Sequence, residues 1–188
     1  MDRRSAKTKR AIRESFLLLL KDKNINQITV AEISRKADLG RGTFYLHYKD
    51  VFDLYSCIEN DLYSELEKLF DNAYPSTDPV NLLNLTNTLT EYFESNREIF
   101  LRLVRPENNG ITLHKLKTMF TNKVMLEESG LSVSEYDAVE SMFIVSGVIG
   151  VLEEWIMKGL DLPQKQIADI LHKIILKFGT SENNEICQ

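Results

Sequence analysis

Arg41, Thr43, Tyr45 and His47 crowd a guanidinium, a hydroxyl, a phenol and an imidazole into one short run. Such a set offers hydrogen-bond donors, acceptors and a flat ring, groups that suit a groove better than a core. The surrounding stretch, TVAEISRKADLGRGTFYLHY from Thr29 to Tyr48, predicts how they are held. Thr29 and Glu32 have the T-x-x-E spacing of a reciprocal capping box. Val30, Ile33 and Ala37 follow on one face of a 3.6-residue period. Asp38-Leu39-Gly40 breaks that pattern with turn-prone residues, and Gly40 is free of the steric limits a Cβ imposes. A second short helix from about Arg41 to Tyr48 buries Phe44 and Tyr48 at i and i+4, and turns the four polar residues outward. Two short helices joined by a tight turn make a helix-turn-helix.

Charge is distributed in a way that fits this reading. The chain of 188 residues carries a net −5, which argues against a generally basic nucleic-acid binder. Residues 1–50, however, hold 12 Lys/Arg against 6 Asp/Glu, whereas residues 51–188 hold 11 against 22. A basic quarter joined to an acidic remainder can neutralise phosphates at one end and repel them elsewhere.

From about Thr8 to Leu54 the sequence resembles the TetR family of bacterial transcriptional regulators. The family's run, roughly G-V-S-K-G-T-L-Y-R-H-F, here reads Asp38-Leu39-Gly40-Arg41-Gly42-Thr43-Phe44-Tyr45-Leu46-His47-Tyr48. Asp38 stands where a glycine is usual, Gly40 where a capping serine is usual, and Leu46 where a polar or basic residue is common. The first two predict a looser start to the recognition helix, and the third predicts one DNA contact fewer. In a major groove Arg41 is placed to donate to guanine O6/N7, and Thr43 and Tyr45 to meet base edges or a thymine methyl. The resemblance implies that Tyr45, His47, Tyr48 and Lys49 lie near backbone phosphates, with Thr29 a further phosphate donor. Tyr48 itself reads better as a core aromatic. The DNA-binding set is therefore Thr29, Arg41, Gly42, Thr43, Tyr45, His47 and Lys49.

The rest of the chain reads as all-α. Low proline and glycine content, 4 and 8 residues, leaves little room for a loop-rich β architecture, and 43% hydrophobic residues can support a core. Residues 1–7 read as a basic arm and Ser5–Lys21 as a bracing helix. Ile25 and Ile28 tuck beneath the helices that follow. Asp50 caps a long fourth helix with Asp53 in its first turn, and Phe52, Tyr55, Ile58, Leu62, Leu66, Leu69 and Phe70 form its apolar stripe. Tyr74–Pro79 breaks the chain. Further helices are predicted over 80–94, 97–105 and 112–128, then from a Ser132/Glu135 capping box to Lys158, and from Pro163 to about Gly179. This divides the chain into a three-helix DNA-binding domain, residues 1–50, and a regulatory and dimerisation bundle of about six helices, residues 51–188, with helix 4 as connector.

Ser141–Leu152, SMFIVSGVIGVL, has no polar face, yet at about twelve residues it is too short to span a bilayer, which takes ~20. A chain this small favours burying such a helix against its own copy. Phe143, Gly147, Gly150 and Val151 on this helix, with Ile167, Ile170, Leu171 and Ile174 on the last, predict a homodimer interface of four helices. The resemblance adds an effector pocket in the body, for which Tyr63, Tyr92, Phe93, Phe100, Met119 and Phe120 are candidates. The implied function is a dimeric repressor on a pseudo-palindromic operator in double-stranded DNA, released by a small-molecule effector. The alternative is a co-regulator controlled by a protein partner, with no such pocket.

Catalytic and metal-binding patterns are missing. His47, His114 and His172 are scattered, and no H-E-x-x-H, Walker or G-x-S-x-G pattern occurs. Cys57 and Cys187 read as reduced thiols rather than a disulfide. No cofactor, metal or membrane partner is expected, and the charged first residues, which exclude a signal segment, predict a cytoplasmic, non-enzymatic protein.

Overall fold

The computed structural model describes residues 3–73, 79–103, 111–128, 134–157 and 159–179. Among these every regular element is helical: α1 Arg3–Leu20, α2 Val30–Lys36, α3 Arg41–Tyr45, α4 Val51–Ala73, α5 Pro79–Ser95, α6 Arg97–Leu103, α7 Ile111–Glu128, α8 Glu135–Met157 and α9 Gln164–Gly179, with a 3₁₀ turn at Ile25–Gln27. The chain forms two compact units, residues 1–63 with 101–112, and residues 64–100 with 113–188. The predicted break at Tyr74–Asp78, the loop after Pro106, Ser132 and Cys187 lie outside the described residues.

In the first unit α1 starts at Arg3, so the predicted basic arm is largely helical. Ile12, Phe16 and Leu20 are fully buried, giving one apolar stripe. The Arg13 guanidinium ties that helix to α4 by pairing with Asp61 and donating to the Cys57 carbonyl. Phe16 adds an edge-on contact to the Tyr55 ring at 6.4 Å. Asn24 and Gln27 cap the 3₁₀ turn reciprocally, and both Ile25 and Ile28 are buried as their spacing predicts.

Asp50 caps α4 by accepting from the Asp53 amide at 2.8 Å, while Asp53 accepts from the Lys49 amide at 2.9 Å. The apolar stripe of α4 begins at Val51 and Leu54 rather than at Phe52, which is 54% exposed. The predicted spacing was right in period and wrong in phase at its first residue, where two apolar neighbours compete for one inward position.

The second unit is organised around α5, with α8 and α9 packed on it. Trp155 is buried, and its indole N–H donates to the Leu162 carbonyl at 2.8 Å. That bond fixes the α8–α9 connection. The amides of Gln166 and Ile167 bond to the Pro163 carbonyl, so Pro163 holds the capping position of α9, one residue before the helix rather than its first residue as predicted. Arg97 lies 5.7 Å from the Trp155 ring centroid and donates to its backbone carbonyl at 2.9 Å. Gln164 donates to the Thr90 hydroxyl, 2.7 Å away, which in turn donates to backbone carbonyls of its own helix. Lys123 of α7 pairs with Glu67 and Asp71 of α4, and Phe70 meets Phe120 at 5.3 Å.

The opening of α8 departs from the predicted capping box. The helix begins at Glu135, and Ser134 accepts its first turn through the Ala138 amide. Glu135 therefore holds the first position, not the third that a Ser132 cap requires. Along the same helix Val145, Ile149 and Leu152 are buried, but Met142 and Phe143 stay 55% and 64% exposed. Within one chain the apolar helix thus has a covered face and an open one. No helix among the described residues is long and apolar enough to cross a membrane.

Candidate nucleic-acid interface

The local sequence fixes α2 by its capping box and α3 by its buried Phe44, since helices of 7 and 5 residues cannot sustain themselves. The Thr29 hydroxyl accepts from the Glu32 amide at 3.2 Å, and the Glu32 carboxylate accepts from the Thr29 amide at 3.0 Å. The predicted capping box is present. Glu32 also pairs with Lys23. The Lys23 ammonium, together with the Thr29 hydroxyl and amide, holds its carboxyl down at about 2 from an ordinary 4.5.

This has a pH consequence. A depressed carboxyl stabilises the folded chain fully above 4.5, and loses that contribution as pH falls through about 2. Thermal melts should therefore show wild type losing its advantage over Glu32→Gln between pH 4.5 and 2. An advantage that is constant across this window would show that the carboxylate charge contributes nothing.

The turn after α2 is a Schellman closure. The Leu39 amide reaches back to the Ser34 carbonyl at 2.9 Å and the Asp38 amide to that of Arg35 at 3.3 Å, with Asp38 at φ 54°. That is the left-handed conformation glycine adopts freely and aspartate tolerates. The departure from the family's glycine at Asp38 therefore keeps the turn, at a modest conformational cost. Gly40 then starts α3 in an extended conformation with no side-chain cap, its carbonyl accepting from Thr43 and Phe44.

α3 ends at Tyr45, three residues earlier than its spacing predicts, yet the turn continues far enough for the Tyr48 amide to reach the Phe44 carbonyl at 3.0 Å. Phe44 is fully buried and Tyr48 nearly so, their rings 5.7 Å apart. Tyr45 packs edge-on against Phe44 but remains 57% exposed. Arg41, Gly42 and Lys49 are exposed, and Thr43 and His47 half-buried. The buried pair fixes the helix axially, and the functional groups stand outside it.

Thr29 is exposed, but its amide and hydroxyl both donate to Glu32, the hydroxyl at 2.9 Å. A phosphate at Thr29 has to displace that carboxylate. Sequence reasoning passed over Arg35, which with Ala31, Glu32, Ser34, Leu39 and Arg41 lines an open depression of about 350 Å³. Its place in the last turn of α2, one turn before the break, was the available signal.

The body candidates are less unified. Tyr92, Phe93 and Phe100 form one cluster, with Phe93 stacked on Phe100 at 4.5 Å and Tyr92 edge-on at 6.3 Å. Phe93, Phe100 and Phe120 are buried, and Met119 is half-buried. Tyr63 belongs to the other unit, where its hydroxyl donates to the buried Glu59 carboxylate at 3.1 Å. Of the interface candidates, Ile167 and Leu171 are buried within the chain. Phe143, Gly147, Ile170 and Ile174 are exposed, and Gly150 and Val151 are half-exposed. Ile167 and Leu171 thus serve the chain's own core.

Residues 80–177 match a TetR-type family model described as a transcriptional regulator C-terminal region. An HTH-type transcriptional regulator of Bacillus subtilis, YxbF, is 30% identical over 118 residues, which covers 61% of this chain and only 30% of that protein's length. Among solved structures, the fatty acid degradation regulator FadR of Bacillus halodurans superposes with a TM-score of 0.65 at 16% identity, covering 90% of this chain and 94% of that one. A TetR transcriptional regulator from Streptococcus agalactiae gives 0.65 at 21%, covering 93% and 96%. NalD of Pseudomonas aeruginosa, the secondary repressor of a multidrug efflux pump, gives 0.66 at 18%, covering 93% and 97%. At these identities the structural matches speak for the fold.

Proposed function

We propose, because this chain belongs to the TetR family of transcriptional regulators, that it binds double-stranded DNA as a homodimer, represses a promoter, and is released by a small-molecule effector. Residues 1–50 contact DNA in this reading, and residues 51–188 dimerise and receive the effector. The observation that carries it is the build of α3: a buried Phe44 anchor with Arg41 and Tyr45 exposed beside it, in the basic quarter of an acidic chain. Arg41 supplies a bidentate donor for guanine, Thr43 and Tyr45 meet base edges, and Lys49 and His47 meet phosphates. Two heads on a dimer would span half-sites ~34–36 Å apart.

Release requires that the effector bind the DNA-incompetent arrangement of the heads more tightly than the competent one. In this reading the effector is apolar and is received beside the aromatic cluster of Tyr92, Phe93 and Phe100, since ligand pockets are lined predominantly by hydrophobic and aromatic side chains.

Selection by the full-length protein from a randomised duplex library tests the core of this reading. A pseudo-palindromic site should be enriched, and its affinity should fall with salt at a slope of about −0.9 per phosphate contacted. Failure to enrich any sequence would remove the DNA reading.

A further inference from the structure

We propose that Leu46 reads the 5-methyl group of a thymine, with Gly42 leaving the space that lets the base edge come close. The inference rests on the DNA reading above and assigns a specificity element within it. At about 100° per residue, positions 42 and 46 both lie roughly 160° from Phe44 around the helix axis. Phe44 is fully buried, so these two positions mark the centre of the outward face. Leu46 there is 81% exposed, more than any other large hydrophobic residue among those described. One turn back stands Gly42, where a Cβ would meet nothing within 4 Å. Thr43 and Tyr45 flank this centre line at about 100° to either side of the anchor. The polar reading groups are on the flanks, and the middle is apolar.

An apolar knob at the centre of this face cannot serve a phosphate. On base edges in the major groove the apolar group available to it is the thymine methyl. The surroundings favour nucleic acid over an apolar protein surface, because Arg41 and Lys49, exposed in the same short segment of chain, are cationic and Gly42 adds no apolar area. Leucine in place of the family's polar or basic residue at position 46 thus exchanges a polar interaction with DNA for an apolar one.

The test uses the full-length protein and the duplex it selects from a randomised library. Each thymine of the half-site is replaced in turn by deoxyuridine, which removes one methyl and leaves the pairing edge intact. At one position wild type should lose about fourfold in affinity per half-site, the worth of one buried methyl-sized group. Leu46→Ala should bind the thymine and uracil duplexes equally, and Leu46→Met should retain the difference. Thermal unfolding of Leu46→Ala should match wild type, since the side chain stands largely in solvent. Leu46→Lys should lose methyl discrimination while steepening the salt slope by about 1. Methyl-independent binding by wild type overturns the proposal and leaves the DNA reading standing. So does a uracil penalty that is the same in Leu46→Ala, which assigns the methyl to another side chain. Selection that enriches no sequence overturns both.

Discussion

Replacing Arg41 and Tyr45 together by alanine should lower affinity for the selected operator by about 100-fold or more, while leaving the fold and the weak binding to random DNA nearly intact. Both side chains are exposed on α3, so their loss leaves no cavity. Phe44 and Tyr48, which hold the helix in place, are untouched. A good bidentate contact to a base discriminates by about 1–3 kcal/mol, so Arg41 alone, lost from both heads of a dimer, costs about 30-fold at the low end, and losing Tyr45 with it brings the factor to about 100 or more. Nonspecific binding draws on phosphates and on the remaining cations of residues 1–50, so it should fall little. Fluorescence anisotropy against selected and scrambled duplexes separates the two effects. Equal losses on both duplexes would mean that these residues contact only phosphates. Undiminished specific affinity would place the reading face elsewhere.

The parts of this head that were legible in the sequence are those in which short-range chemistry decides. Thr29 with Glu32 and Asp50 with Asp53 are local hydrogen-bond pairs, complete within four residues, and both form as their spacing predicts. Phe44 and Tyr48 keep their contact although α3 stops early, because one further turn suffices to bring them together. Where neighbours compete, the pattern misleads. Val51 and Phe52 are adjacent apolar residues, and tertiary packing chose the smaller. The α8–α9 connection was opaque for a similar reason. Leu162 lies between the two helices and offers its backbone carbonyl to Trp155, a partner seven residues away that no local motif announces.

The phosphate role of Thr29 shows the opposite limit. Its type and position fit a donor, and only the structure shows both of its donors already given to Glu32. A residue can satisfy a motif twice over, and geometry decides which use is occupied. Asp38 likewise looked like a disruption, yet the Schellman closure forms around it because aspartate is among the few residues that tolerate a left-handed backbone.

Ser141–Leu152 leads to the second large effect. Its length excluded a membrane and its composition excluded solvent, which left burial in protein. In one chain that burial is half complete: Ser141, Val145, Ile149 and Leu152 turn inward, and Met142 and Phe143, like Tyr136 and Val139 earlier on α8, remain more than half exposed. Monomeric proteins rarely leave such a run of large apolar side chains in water. In the proposed dimer this open face, with Ile170 and Ile174 of α9, meets its copy, and the uncrowded Gly147 and Gly150 permit close approach. Phe143→Glu combined with Ile174→Glu should therefore yield a folded monomer, because the two side chains are 64% and 42% exposed within the chain, where a carboxylate can be solvated, whereas a dimer seam would bury it. Light scattering coupled to size exclusion should show the mass halved, with helicity retained. Operator affinity should fall by roughly 10²–10⁴, the advantage that tethering a second head confers when both half-sites are engaged. This loss differs in kind from that of the Arg41/Tyr45 variant. A monomer keeps the base preference of a single half-site and loses the dependence on half-site spacing, whereas the head variant keeps the dimer and loses the preference. A double variant that stays dimeric would move the interface off α8 and leave its exposed face needing another partner.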